Sequence, residues 1–148
     1  MGWGLEAVRP INMQLPSPPL LVISDRSQAE RPLVEVAAAA FRAGCRWFSL
    51  REKDLPAAER RDLLRALVAL GRRHGATVTV HDDIEAAVAA GAARLARGPV
   101  IALAGIHEHN AAACLAAGAQ GIAVMGEIMR AADPEAAVRR LLAAITKK

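Results

Sequence analysis

Short apolar runs alternate with longer segments of helical periodicity along the chain, and this alternation restricts the fold more than any other feature. The first three apolar runs cover residues 20–23, 46–50 and 77–80. The helical segments that follow them cover residues 33–43, 56–74 and 84–90. The first two helices start at a proline and all three end at a glycine, as helices commonly do. Apolar strands that alternate with helices predict βα units, a parallel sheet and therefore an α/β fold.

Two further βα units follow in the second half of the chain, after a break in the rhythm. Their strands are predicted at residues 99–103 and 121–125, and their helices at residues 109–117 and 134–145. Residues 88–93 approach a strand as the earlier helices do, yet residues 94–98 read as a helix tail instead. Either a segment is missing near residues 92–95, or residues 86–97 form one helix that tolerates Gly91 at a cost of about 1 kcal/mol.

The composition fits one globular domain. The chain has 148 residues, with 53% hydrophobic and 23% charged residues but only 3% aromatic residues, so small alanine side chains provide much of the apolar surface. We predict an irregular N-terminal extension over residues 1–19, poorly ordered up to about residue 15, and a single domain over residues 20–148.

Charge and cysteine usage bear on partners and location. The net charge of +4 comes with paired arginines inside helical segments, without the interleaved aromatic residues of nucleic-acid binders. Cys45 and Cys114 lie far apart in apolar settings, which indicates buried thiols in a reducing compartment. No apolar run reaches about 18 residues and no secretory signal pattern is present. We therefore expect a cytoplasmic protein that binds neither nucleic acid nor membrane.

Two cations stand where the second apolar run ends. Arg51 and Lys53 are two positions apart, and alternate residues of an extended segment point the same way, so both could converge on one multiply charged anion. A phosphate-bearing substrate is the first candidate. The alternative is a solvated charge cluster formed with Glu52 and Asp54 between a strand and a helix.

Five motifs, taken in order, resemble a known family. They are LVISDR at 21–26, SLREKD at 49–54, VHDD at 80–83, VIALAGI at 100–106 and GIAVMGEIM at 121–129. They look like thiamine phosphate synthase and its relative, the thiazole tautomerase TenI, whose members are (βα)8 barrels of about 200 residues or more. The chain is similar to units one to three of such a barrel joined directly to units seven and eight. The resemblance implies an incomplete TIM-barrel-like fold of about five βα units, and the missing units coincide with the broken rhythm.

For the synthase, the resemblance implies that hydroxymethylpyrimidine diphosphate is joined to thiazole phosphate through a pyrimidine carbocation, with pyrophosphate as the leaving group. Mg²⁺ and cationic side chains would neutralise that leaving group. Arg51 and Lys53 match the residues that hold the diphosphate, and Asp82 matches an aspartate that binds Mg²⁺.

The second substrate is implied to bind at the ends of the last two strands. The backbone at Gly105, Ile106, Met125 and Gly126 matches the cradle for the thiazole phosphate, where glycine lets amide groups approach the phosphate. The other explanation for both glycines is the geometry of a turn.

The chain also departs from the family pattern. Ser49 replaces Gln, His81 replaces Asn, Asp83 replaces Arg, Ala104 replaces Gly, and Gly126 stands where Ser is common. Several of these changes suggest a TenI-like branch. The family's second metal-binding aspartate, its threonine-containing phosphate loop and the acid–base histidine of the tautomerase fall in the missing units.

The histidines leave alternatives open. His81 could act as an acid or base, since its ordinary pKa lies near 6.5, or it could be a partly buried histidine bonded to Asp82 or Asp83. His107 and His109 have the spacing of a metal pair, but a loop that leads into a helix explains them better because no further ligand is near in sequence.

Two functions follow from the sequence. The chain is an enzyme, or a former enzyme, of thiamine biosynthesis that acts as the synthase or isomerises thiazole phosphate. Alternatively, it is a non-catalytic remnant that binds phosphorylated ligands or supports assembly. Three missing units would leave two open strand edges, so we predict a homo-oligomer that pairs those edges.

Overall fold

The computed structural model describes residues 15–80, 101–103 and 105–146. The predictions for residues 1–14, His81, Asp82, Asp83 and Ala104, for the helix over residues 84–90 and for the junction near residues 92–95 lie outside these ranges. Within them, no helix combines the length and the apolar character needed to cross a membrane.

The predicted alternation of strands and helices is present. The strands are β1 (Leu20–Ile23), β2 (Trp47–Leu50), β3 (Thr77–Val80), β4 (Ile101–Leu103) and β5 (Gly121–Val124). The helices are α1 (Leu33–Arg42), α2 (Ala57–Arg73), α3 (Ala111–Ala116), α4 (Gly126–Met129) and α5 (Pro134–Thr146). For these described elements the predicted boundaries are confirmed to within about two residues, and among them only the four-residue α4 has no counterpart in the sequence prediction.

Proline and glycine mark the helix boundaries as predicted. Pro32 and Pro56 stand one residue before the first helical residue of α1 and α2, with φ near −50°, a value that the proline ring imposes. The chain leaves these two helices through Gly44 and Gly75, whose φ values of 109° and 63° suit glycine best.

The five strands form one parallel sheet in the order β3-β2-β1-β5-β4. The last two units therefore lie beside β1, with Leu20 opposite Ile122 and Val22 opposite Val124. In a closed (βα)8 barrel the last strand also pairs with the first. The sheet has the order of an incomplete TIM-like barrel in which the final two units lie beside β1, on the side away from β2. The predicted fold class is confirmed.

The core lies mainly between the sheet and its helices. Leu20 and Val22 of β1 face the helical layer and are fully buried, as is Val36 of α1. Within this layer the rings of Phe41 and Phe48 meet edge to face with centroids 6.1 Å apart.

The opposite face of the sheet carries a smaller cluster. Leu21, Ile23 and Ala123 are buried there, and Trp47 and Ile101 pack partly against them. This face corresponds to the interior of a barrel. At the β3 end of the described sheet it opens to solvent, because Thr77 and Thr79 are exposed while Val78 packs on the helical side.

The two cysteines differ in environment. Cys45 is buried, its thiol donates to the Trp47 carbonyl at 3.2 Å, and burial raises its pKa to about 11. Cys114 is only partly buried, and both thiols are free. The prediction of a buried thiol is confirmed for Cys45 and only in part for Cys114.

Candidate functional site

The carboxyl ends of β1 and β2 are tied together by Ser24. Its amide donates to the carbonyl of Ser49 at 2.9 Å, and its hydroxyl accepts a hydrogen bond of 2.8 Å from the amide of Arg51. Ser24 is fully buried, so this polar group is satisfied inside the protein. The backbone position from which Arg51 projects is thus fixed by the neighbouring strand.

Glu52 is a buried carboxylate between the two predicted phosphate-binding cations. It is 4% exposed, accepts a hydrogen bond from the Ser24 hydroxyl at 3.2 Å and one from the Arg26 amide at 2.7 Å. Burial raises its pKa above the ordinary value of 4.5, and the Arg26 amide and the Ser24 hydroxyl partly oppose that shift. Glu52 is therefore a link between two loops and not part of a solvated cluster, whereas Lys53 and Asp54 are exposed as that alternative requires.

Arg26 joins the same network from the loop after β1. Its Nη2 donates to Asp54 Oδ2 at 2.8 Å, and its Nε lies 3.8 Å from Glu52 Oε1. That Nε is buried without a hydrogen-bond partner among the described residues, because 3.8 Å to Glu52 is too long for a hydrogen bond. Arg26 thus braces the loop that carries the predicted phosphate motif.

Asp25 lies on the same edge with a firmly held negative charge. Its pKa is lowered, first by the hydrogen bond from the Ser27 hydroxyl at 2.6 Å, then by the Gln28 amide at 2.6 Å, and last by the charge of Arg51. Arg51 is half-buried and near enough to Asp25 to affect its titration. The two residues thus share one rim of the sheet.

The convergence of Arg51 and Lys53 stays a prediction. The strand ends at Leu50 and Lys53 lies in a turn, so the alternation of an extended segment does not apply to this pair. The structure places both residues in the loop after β2, at the carboxyl edge. His81 and Asp82, the other residues predicted for this substrate, lie outside the described ranges.

A cavity of about 440 Å³ opens at the carboxyl ends of β4 and β5. All four residues predicted for the thiazole phosphate line it, namely Gly105, Ile106, Met125 and Gly126. The rest of its wall is formed by Gln28, Leu103, His107, Ala123, Val124, Glu127 and Arg130. Its volume suits a small organic ligand, and it combines an apolar floor with a few polar side chains.

The loop on the β4 side of the cavity is held by Asn110. Its side chain accepts a hydrogen bond from the His107 amide and donates one to the Gly105 carbonyl, both at 2.8 Å. Gly105 has a φ of 65°, so turn geometry does require glycine at this position. His107 and His109 lie in the turn that enters α3, which confirms the loop interpretation of this pair.

On the β5 side, Gly126 contacts the guanidinium of Arg130. Arg130 donates a hydrogen bond to Gln28 Oε1, and the Gln28 amide in turn donates to Asp25. Sequence reasoning missed Gln28 and Arg130 because they are 102 positions apart and belong to different loops. The one available signal was the presence of a cation four residues after a glycine at a strand end.

Metal binding rests on a residue outside the described ranges. Within residues 15–80, 101–103 and 105–146, no three His, Cys, Asp or Glu side chains gather as ligands. These residues alone do not fit a Mg²⁺ site, so Mg²⁺ stays a prediction that depends on Asp82 and on oxygens from the substrate.

Comparison with curated proteins points to one family. The chain is 33% identical over 137 residues to the thiamine-phosphate synthase of Thioalkalivibrio sulfidiphilus, covering 72% of this chain and 62% of that one. A stretch of 74 residues is 45% identical to a Geobacter sulfurreducens protein also described as a thiamine-phosphate synthase, covering 49% of this chain and 35% of that one. The chain thus spans less than two thirds of the length of these two relatives.

A third relative bears on the missing segment. The chain is 28% identical to the thiamine-phosphate synthase of Roseiflexus sp. over an alignment of 197 residues that covers 84% of each chain. Because this alignment is longer than the 148 residues of the chain, the relative has residues within the aligned span that this chain lacks. That result agrees with the deletion inferred from the broken rhythm.

Solved structures share the fold. The thiamine phosphate pyrophosphorylase of Pyrococcus furiosus superposes with a TM-score of 0.72 at 22% identity, over 85% of this chain and 94% of that one. The (S)-3-O-geranylgeranylglyceryl phosphate synthase of Thermoplasma acidophilum superposes with a TM-score of 0.59 at 13% identity, over 85% of this chain and 92% of that one. At these identities the likeness concerns the fold alone.

A sequence profile decides the assignment. The profile of the family described as thiamine monophosphate synthase matches residues 20–96, which is more than half of the chain, and its match ends next to the inferred junction near residues 92–95. By its sequence, supported by its fold, the chain belongs to the thiamine monophosphate synthase family.

Proposed function

We propose that the protein acts on the phosphorylated heterocycles of thiamine biosynthesis, as a synthase-like transferase that joins hydroxymethylpyrimidine diphosphate to thiazole phosphate. The observation that carries this proposal is the cavity of about 440 Å³ that gathers Gly105, Ile106, Met125 and Gly126 at the carboxyl ends of β4 and β5. In parallel α/β folds, ligands bind at this edge of the sheet.

In the proposed transfer, the bond between the pyrimidine methylene carbon and the diphosphate oxygen breaks, and pyrophosphate leaves with the electron pair. The thiazole nitrogen then donates its pair to the carbocation and forms the new carbon–nitrogen bond. Arg51 and Lys53 are proposed to neutralise the negative charge that develops on the leaving diphosphate. Mg²⁺ would add to this neutralisation when bound.

The described contacts support the proposed role of Arg51 in stabilising the leaving diphosphate. Its backbone is held by the Ser24 hydroxyl, and the buried Glu52 holds that hydroxyl in turn. A cation whose backbone is fixed before the substrate binds loses less conformational entropy on binding, which favours stabilisation of the transition state.

The direct test is an assay with both substrates and Mg²⁺, in which thiamine phosphate and pyrophosphate are measured. We expect turnover that falls at least about 100-fold in Arg51→Ala, the typical cost of removing one preorganised electrostatic group. Arg65→Ala removes the same charge from an exposed position on α2 and should leave the rate unchanged. Equal rates in the two variants would exclude the proposed role of Arg51.

A second candidate is a protein that binds thiazole phosphate without turning it over. The observation that favours it is the alignment of 197 residues, since this chain lacks part of what its relative has. Binding of thiazole phosphate by calorimetry together with no product in the assay would support this candidate.

Isomerisation of thiazole phosphate would be detected as a change in the ultraviolet spectrum of the thiazole alone, and loss of that change in His81→Ala would assign it to His81.

A further inference from the structure

Arg130 lines the cavity, and no carboxylate in the described part of the chain forms an ion pair with its guanidinium. Among the residues that the structure describes, its side chain forms one hydrogen bond, to Gln28 Oε1, and no ion pair. A guanidinium has five N–H donors, so most of its donors remain for another acceptor. A phosphate oxygen is the acceptor that this planar, permanently charged group binds most strongly.

Gly126 makes room for that guanidinium. A Cβ at this position would lie 2.7 Å from Cζ and 2.8 Å from Nη2 of Arg130, so the guanidinium would have to leave its present place. The backbone does not demand glycine here, because Gly126 is not among the glycines with positive φ. Gly126 therefore differs from Gly105, whose φ of 65° explains it and whose Cβ would meet open space.

Gln28 fixes the direction of Arg130. Its Nε2 donates to Asp25 Oδ2 at 2.6 Å, so its Oε1 is the atom left to accept from Arg130. The Asp25 carboxylate is held in its charged form by its hydrogen bonds from Ser27 and Gln28. The guanidinium is thus anchored to the loop after β1, the strand that neighbours β5 on the side away from β4.

The remaining wall suits the rest of a small ligand. Leu103 is 54% exposed although it is a large apolar residue, and it lines the cavity together with Ile106 and Met125. An exposed apolar side chain beside a guanidinium matches a ligand with an apolar ring at one end and a phosphate at the other.

We propose that Arg130 binds the phosphate of a small phosphomonoester in this cavity, with Gln28 orienting the guanidinium and Gly126 leaving the space for it. The inference rests on the proposed function, since it names the side chain that would contact the phosphate of the thiazole substrate. Glu127 lines the same cavity and its carboxylate opposes an anion there, so Glu127→Gln should bind the phosphomonoester more tightly.

The experiment compares two probes by calorimetry, thiazole phosphate and the same thiazole with a free hydroxyl. For Arg130→Ala we expect affinity for the phosphate ester to fall about tenfold or more, as loss of charge-assisted hydrogen bonds implies, with less than about a twofold change for the hydroxyl form. Arg65→Ala, on the exposed face of α2, should bind both probes as the wild type does. Arg130 is exposed, so the variant should fold, and Arg130→Gln gives the same comparison should it not.

A double variant tests the shared space. Gly126→Ala fills the space without adding a hydrogen-bond donor, so it should move the guanidinium and lower the affinity for the phosphate ester, while Gly126→Ala in the Arg130→Ala background should cost little more. Equal binding of the phosphate ester by wild type and Arg130→Ala would overturn the inference and leave the proposed function intact. A wild type that binds neither probe would overturn both.

Discussion

At the scale of single residues, Glu52 organises the motif that the sequence presents as two cations. Its carboxylate accepts from the Ser24 hydroxyl and from the Arg26 amide, so it joins the loops after β1 and β2. In the sequence, Glu52 looks like its charged neighbours, and the position of the motif at a strand end was all that could be predicted. The inward direction of this one side chain depends on β1 lying beside β2, which no local pattern contains.

The buried carboxylate should leave a signature in the pH dependence of stability. Because burial raises the pKa of Glu52, the folded state binds its proton more tightly than the unfolded state. The contribution of Glu52 to the free energy of unfolding is therefore fully present below about pH 4.5 and is lost as the pH rises through the folded-state pKa. Glu52→Gln lacks this contribution. The free energy of unfolding of the wild type minus that of the variant should therefore decrease from pH 4 to pH 8.

Urea unfolding of both proteins across that range measures the difference. Asp25 titrates in the opposite sense, because hydrogen bonds lower its pKa, but it is present in both proteins and largely cancels in the subtraction. A difference that stays constant, or that rises with pH, would show that Glu52 is not buried as described.

At the scale of elements, the sequence predicted what depends on local periodicity. The boundaries of β1, α1, α2 and β3 follow from apolar spacing and from proline and glycine at the ends, and the structure agrees to within about two residues. The helix α4 was missed because four residues are too few to show a helical period. This omission mattered for the site, since α4 runs from Gly126 and determines where Arg130 lies.

The helix α1 offers a matched test of burial. Val36 is fully buried against the sheet, whereas Val34, on the same helix, is 38% exposed. Changing either valine to alanine improves intrinsic helix propensity equally, so the difference between the two variants reports burial. We expect Val36→Ala to lower the free energy of unfolding by about 2 kcal/mol and Val34→Ala by less than about 0.5 kcal/mol.

Chemical denaturation with a constant m-value measures both changes. Similar losses in the two variants would mean that α1 does not present Val36 to the core. That outcome would also question the position of β1, because Leu20 and Val22 pack in the same cluster as Val36.

At the scale of the whole molecule, strand order is the property that local patterns could not provide. The alternation predicts parallel strands, but the pairing of Leu20 with Ile122 joins residues about a hundred positions apart. The sequence left open whether the last two units lie beside β1 or beside β3, and the pairing of β1 with β5 answers that question. The same holds for the cavity, where Gln28 and Arg130 meet across 102 positions while the glycines were found from their motifs.

The two ends of the described sheet lead to the last prediction. Within residues 15–80, 101–103 and 105–146, β3 and β4 each have one strand neighbour, and β3 presents Thr77 and Thr79 to solvent on the face that a closed barrel would bury. Unpaired strand edges are templates for association, so we expect a homo-oligomer whose sedimentation coefficient rises with concentration.

Thr79→Lys adds a charge to this exposed face of β3 and should shift the protein towards the monomer, because charged edge strands resist pairing. Ala66→Lys adds the same charge to the exposed surface of α2 and should leave the association unchanged. A wild type that sediments as a monomer at all concentrations, or equal effects of the two lysines, would exclude association through β3.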